Sequence, residues 1–234
     1  MLWLDDALGR VLDELEARGT LDDTLIVFVS DHDRRGKFVL NGGRVPLMMR
    51  WPGHIQPDTE IDALVSLIDL LPTLLELTGR PTDDARLQIV SFAPLLDGRA
   101  AAVREDAFME VTYTRGVVTP EFKYIATRFP DRIAQNLTPE NRRRINQEGT
   151  FAFFGDPDGD IVRYRKDLLF PAYFDDDQLY DLTRDPDEQV NVAADPAYAE
   201  ALAHMKRRLA AYIRQTPHPF GEFGRRGDGG GSGE

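Results

Sequence analysis

The feature that most constrains this chain is a continuous apolar run, Leu25-Ile26-Val27-Phe28-Val29, that stops abruptly at Ser30-Asp31-His32-Asp33-Arg34-Arg35-Gly36-Lys37. An unbroken apolar run predicts a strand covered on both faces, the form strands take in a parallel sheet flanked by helices. In open α/β sheets, ligands gather beyond the carboxyl ends of the strands, so the polar octet stands where a binding site is expected. Ahead of the run, Leu4, Leu8, Val11, Leu12 and Leu15 recur at helical spacing, and Gly19 supplies a left-handed stop. After it, Val45 to Trp51 reads as a second strand. Pro46 near its start has no amide to give a ladder, and Pro52-Gly53 makes the following turn. A helix is predicted over Asp69 to Leu77, with Asp69 as cap, Pro72 in the first turn and Gly79 as stop.

Beyond Gly98 the texture changes to shorter pieces. Ala107 to Tyr113 and Phe122 to Arg128 read as strands that pair across a loop containing Gly116 and Pro120. Thr138-Pro139-Glu140 opens a helix through the solvated Arg142-Arg143-Arg144, and Gln178 to Leu182 is a further strand. Ala197 to Gln215 is an amphipathic helix with Leu202, Met205, Leu209 and Ile213 on one face. From Thr216 on, Pro and Gly dominate and no packed structure is expected. The fold class is therefore α/β, a mostly parallel sheet with flanking helices, followed by a small α+β subdomain with an antiparallel sheet. The domains expected are 1–98 and 99–215, with a disordered tail at 216–234.

Composition narrows the function. Lys plus Arg is 28 against 40 Asp plus Glu, a formal charge of −12, which repels nucleic-acid phosphates. No stretch approaches the length of apolar sequence that spans a bilayer. With no Cys there are no disulfides, zinc–thiolate sites or thiol nucleophiles among these 234 residues. The chemistry-bearing candidates are Asp31 and His32, a carboxylate and an imidazole that can share one cation. Lys37, on a Gly-flanked loop, is an ammonium able to meet an anion. His54 and His204 read as exposed or structural, His218 and Arg226-Gly227-Asp228 as tail. The aromatic group Phe151, Phe153, Phe154, Tyr164, Phe170, Tyr173 and Phe174 reads as subdomain core.

These residues resemble a known family. Ser30-Asp31-His32, Gly36-Lys37, Gly42-Gly43-Arg44-Val45-Pro46-Leu47 and Arg50-Trp51-Pro52-Gly53 are similar, in order, to segments of the sulfatases of the alkaline phosphatase superfamily. So are Ser66 to Thr73, Phe122-Lys123-Tyr124-Ile125, and Leu179-Tyr180-Asp181-Leu182 followed by Asp185-Pro186, Glu188 and Asn191. The resemblance implies an alkaline-phosphatase-like sandwich. It also implies a divalent cation held in part by Asp31 and His32, and a sulfate group contacted by Lys37. Calcium is the family's usual ion; the imidazole of His32 also suits Mn2+ or Zn2+. The substrate implied is a small sulfate ester or a sulfated glycan. Two departures stand out: Asp33 where the family usually has Gly, and Asn41-Gly42-Gly43 without the acidic residue common there.

The family's nucleophile is a formylglycine made from Cys or Ser in a C/S-x-P-x-R motif. Ser30, Ser66, Ser91 and Ser232 are the only serines and none lies in that motif, so no catalytic nucleophile is expected in this chain. The resemblance thus implies the C-terminal half to two-thirds of a sulfatase, a fragment or truncated gene model not competent alone. The alternatives are a phosphoesterase of the same superfamily, or a non-catalytic interaction module that keeps the fold.

Overall fold

The computed structural model describes residues 2–31, 43–80, 89–111, 113–135, 137–138, 171–216 and 220–223. His32, Lys37, the helix expected through Arg142-Arg143-Arg144, the aromatics Phe151 to Phe170, His218 and Arg226-Gly227-Asp228 lie outside the described residues. The chain divides into two units, Met1–Asp31 with Val45–Arg104, and His32–Arg44 with Glu105–Glu234.

The first unit opens with α1, Leu2–Ala17, in which the predicted leucines share a stripe. Gly19 ends it at φ +68°, where a Cβ would strain the chain. Strand β1, Ile26–Val29, pairs antiparallel with β2, Leu47–Arg50, in the register Ile26↔Arg50 to Val29↔Leu47. The expected parallel, doubly covered strand is thus corrected in two respects. The described partner of β1 runs antiparallel, and β1 is half-buried with Val29 exposed. An apolar run signals a strand but carries no information about the direction of its neighbour. The far end of the pair is held by Arg50, which donates to the Leu21 carbonyl at 3.1 Å and to Asp22 at 2.6 Å.

A 3-10 turn, Leu67–Asp69, leads into α2, Leu70–Leu77, and a short α3 spans Ala93–Leu96. Gly79, at φ +73°, stops α2 as predicted. Phe92, Leu95 and Leu96 form the small core of this unit, packed against Leu47, Met49, Ile55, Leu70, Leu77, Ala100 and Val103. Those last two contacts explain why the first unit extends to Arg104 rather than ending at residue 98.

The second unit is built on an antiparallel sheet in the order β3-β4-β5-β6: Ala107–Val111, Thr114–Val118, Phe122–Thr127 and Asp177–Asp181. Here the expectation that Ala107 to Tyr113 pairs with Phe122 to Arg128 fails. The intervening β4 pairs with both, Gly116 standing opposite Met109 and Ile125. Arg115 and Gly116 break the apolar alternation and hide the strand in the sequence. A single helical turn, α4, covers Asp131–Ala134. Helix α5, Ala199–Ile213, lays Met205, Leu209 and Ile213 on Val117, Tyr124, Ala126 and Leu179. The tail expected from Thr216 is also corrected. Phe220 and Phe223 are buried in this core, and Arg115 and Arg128 sit over their rings at 4.9 and 5.6 Å. Two aromatics contribute enough apolar area to fix a segment that its Pro and Gly content alone would leave loose.

Candidate functional site at the end of strand β1

Asp31 lies two residues past β1. The strand pairing extends one step beyond the regular ladder, where the Ser30 N–H donates to the Pro46 carbonyl at 3.3 Å. Asp31 follows immediately and is exposed. It therefore stands at the carboxyl end of a strand, the position where ligands gather in α/β folds. Of the three predicted site residues, this is the one the described structure places. His32 and Lys37 fall outside it. Among the described residues no group of three or more His, Cys, Asp or Glu side chains comes together as a metal cage. The donor that is placed suits a hard divalent ion, because an exposed carboxylate offers oxygen ligands.

The other charged constellations are anchors. In the first unit, Asp69 is fully buried and its carboxylate accepts from Ser66 N–H at 3.0 Å, Val90 N–H at 2.9 Å and Arg104 at 2.6 Å. The residue expected as a helix cap thus makes no side-chain cap bond to α2; its carboxylate is instead the hub that ties residues 66, 90 and 104 together. Thr73 extends it, donating to the Asp69 carbonyl at 2.6 Å and accepting from Phe92 N–H at 2.9 Å.

In the second unit, the late segment that carries the resemblance is a staple. Asn191 accepts from Leu179 N–H and Ala193 N–H and donates to Asp175 and the Asp177 carbonyl, at 2.9 to 3.0 Å. Asp185 accepts from Val190 N–H at 2.7 Å. Glu188, buried and at φ +56°, pairs with the buried Lys123 at 2.8 Å. Asp181 takes the Thr183 hydroxyl and amide and the Tyr198 hydroxyl. The Thr183 hydrogen bond is the main reason its carboxyl lies below the usual range.

A second hub gathers on Asp177, which accepts from Tyr124 Oη and Arg128, each at 2.7 Å, and from Lys206. Burial pushes the Asp177 carboxyl up, but the hydrogen bonds from Lys206, Arg128 and Tyr124 outweigh it and hold the group at about 2. Burial, with the hydrogen bond to Asp177, pushes the Tyr124 phenol well above its usual value. Arg128 also donates to Glu222 at 2.9 Å, so this hub locks the segment bearing Phe220 and Phe223. An open groove of about 400 Å³ lies beside it, lined by Phe174, Asp175, Asp176, Asp177, Asn191, Ala193 and Ala194. Asp175 and Asp177 are committed to Asn191, Arg128 and Lys206, so the groove does not displace the β1 end as the candidate site. His54 stacks on Trp51 with ring centroids 3.9 Å apart, and His204 accepts from Arg208 at 2.9 Å, both as bystanders.

The fold is that of the alkaline phosphatase superfamily. A solved structure of a protein in complex with its substrate D-glucosamine-2-N,6-O-disulfate superposes with a TM-score of 0.64 at 23% identity, over 92% of this chain and 39% of that one. The Sulfatase family model matches residues 1–80. An ulvan-active sulfatase of Formosa agariphila is 31% identical over 201 residues, covering 82% of this chain and 38% of that protein. Human N-sulphoglucosamine sulphohydrolase is 29% identical over 242 residues, covering 93% and 47% respectively. The chain belongs to the sulfatase family, and it spans less than half the length of these curated relatives.

Proposed function

We propose that this chain supplies part of the cation and sulfate site of a sulfate-ester hydrolase acting on sulfated sugars. The observation that carries the reading is the exposed Asp31 carboxylate at the end of β1, in a chain of this family. The relatives support the substrate class: one is active on ulvan, one is a sulphohydrolase of N-sulphoglucosamine, and one binds a disulfated glucosamine. In this reading Asp31 and His32 hold a divalent cation, Ca2+ foremost, which supplies Lewis-acid polarisation of the sulfuryl group. Asp31 contributes hard oxygen donors, His32 an imidazole, and Lys37 a point charge that neutralises the sulfate oxygens. These 234 residues contain no Cys and no Ser in a C/S-x-P-x-R motif. The nucleophile of the reading therefore belongs to polypeptide outside them, and the isolated chain is expected to leave aryl sulfates intact.

The test is hydrolysis of 4-nitrophenyl sulfate and 4-nitrophenyl phosphate by a protein that joins this chain to such a motif. The expected result is preference for the sulfate and a loss of about 100-fold in kcat/KM for Asp31→Asn, the scale of a lost metal-site group. Preference for the phosphate, or unchanged turnover in Asp31→Asn, overturns the reading.

A further inference from the structure

The short helix α3 ends on a chemically reactive dipeptide. Gly98 follows it at φ +76°, the left-handed stop that glycine enters without strain. A Cβ there would also stand 2.8 Å from Gln56 Nε2, which would have to move aside. Glycine is thus required, and the residue before it is Asp97. An Asp–Gly peptide is open to attack on its own side chain, because glycine leaves its nitrogen unshielded. The Gly98 nitrogen bonds to Asp97 Cγ, the Cγ hydroxyl leaves as water with the amide proton, and a five-membered succinimide forms. Water then adds to either ring carbonyl, restoring aspartate or routing the main chain through Cβ as isoaspartate. The water lost is regained, so the product is an isomer of the starting chain.

We propose that Asp97–Gly98 is a latent isomerisation site and that Arg99 holds it shut. Both oxygens of the Asp97 carboxylate are held by residue 99. Oδ1 accepts from the Arg99 N–H at 3.0 Å and Oδ2 from Arg99 Nε at 2.6 Å. Glu76 accepts from the far side of the guanidinium at 3.4 Å. The Gly98 N–H is occupied elsewhere, donating to the Leu95 carbonyl at 3.4 Å. Asp97 itself sits at ψ 4°, so the Gly98 nitrogen is eclipsed with the Asp97 nitrogen and turned away from Cβ. Ring closure therefore requires the carboxylate to leave Arg99 and the backbone to rotate about ψ. It also requires a proton on the carboxyl, so that water can leave. The Arg99 hydrogen bond is the main reason that carboxyl lies below its usual range and stays ionised. Isomerisation would insert one main-chain atom beside Leu96, whose carbonyl accepts from the Gln56 N–H at 3.0 Å, and so would strike the small core of the first unit.

The experiment incubates the full 234-residue chain at physiological temperature and neutral pH, digests it, and separates aspartyl from isoaspartyl peptides spanning position 97. The same dipeptide at Asp228–Gly229 is read in the same digest. In the folded chain, isoaspartate at position 97 is expected to accumulate about tenfold more slowly than in concentrated guanidinium chloride, because two hydrogen bonds to the carboxylate must open first. Arg99→Ala is expected to raise the folded-state rate about threefold to fivefold, the upper range for one exposed ion pair. It is expected to leave the denatured rate, and the rate at Asp228–Gly229, unchanged. Arg99→Met, which keeps the aliphatic stem, is expected to behave in the same way should the alanine variant fold poorly. Equal folded and denatured rates at position 97 overturn the proposal, as does an unchanged folded rate in both variants. Acceleration that disappears when each variant is held equally far below its own melting temperature assigns Arg99 to the fold alone and overturns it too.

Discussion

The two units of this chain differ in how completely they bury what their sequences offer. The second unit seats Val117, Tyr124, Ala126, Leu179 and Leu209 at 0% exposure between a four-stranded sheet and α5. The first has a two-stranded sheet and a three-residue buried cluster. Among the described residues, every large apolar side chain that remains exposed, apart from Val190, belongs to the first unit: Trp3, Leu4, Val11, Val29, Met48, Ile61, Leu67, Ile68, Leu71 and Val90. Folding free energy is therefore concentrated in the second unit, while the carboxylate with the best claim to chemistry stands at a strand end in the first. The motifs divide the same way. The segment from Leu179 to Asn191 carries much of the family resemblance and works as scaffold, with Asp181, Asp185, Glu188 and Asn191 each tied to backbone or to a partner side chain.

The contrast can be broken most forcefully at the two buried ion pairs. Asp69→Ala in the first unit and Lys123→Ala in the second each strand a buried charge, and each is expected to cost about 3–5 kcal/mol in denaturant unfolding. Comparable losses would show that the open unit depends on its single hub as heavily as the closed unit does on its own. A negligible cost for Asp69→Ala would remove that parity. Truncation of apolar side chains sharpens the comparison next. Leu209→Ala, at the centre of the second core, is expected to cost about 2–5 kcal/mol. Leu71→Ala, 60% exposed on α2, should stay within about 0.5 kcal/mol.

Acid is expected to act on the second unit through Asp177. Its folded carboxyl lies near 2 against an ordinary value of 3.8, so its contribution is fully present above about pH 4 and is lost as pH falls through about 2. Asp177→Asn should therefore lower stability by about 1–2 kcal/mol at neutral pH, after allowance for its partial exposure, and by much less near pH 2. Equal losses at both pH values would contradict the assignment. The smallest effect on stability is expected from Met48→Ser combined with Leu71→Ser. Stability should change little, while binding of an apolar dye to the chain should fall. Undiminished dye binding would place the accessible apolar surface elsewhere.

Local signals in the sequence carried most of the fold. Helix α1 and its Gly19 stop, α2 and its Gly79 stop, β5, β6 and α5 all follow from periodicity and cap chemistry acting within a few residues. What the sequence concealed depends on partners far along the chain. The direction of β1's neighbour is set by pairing, not by the composition of β1. Strand β4 is recognisable from Val117 and Val118 only once its neighbours are known, because Arg115 and Gly116 interrupt the pattern. Phe220 and Phe223 stand three apart in a stretch dominated by Pro and Gly, and that spacing was their one local signal. Asp69 reads locally as a helix cap, but its carboxylate makes no cap hydrogen bond to α2 and reaches back to the Ser66 amide instead. Its pairing with Arg104, 35 residues on, has no local signature. For the candidate site, the strand-end position of Asp31 was legible, since it lies two residues past β1; the cation and sulfate roles read for Asp31, His32 and Lys37 belong to the proposal.

The most direct test of the account is a crystal of this chain soaked in Mn2+, with the ion located by its anomalous scattering. The account predicts a peak coordinated by the carboxylate of Asp31 together with His32, absent in Asp31→Asn. A peak confined to the Asp175–Asp177 groove, or one at the end of β1 that persists in Asp31→Asn, would contradict it.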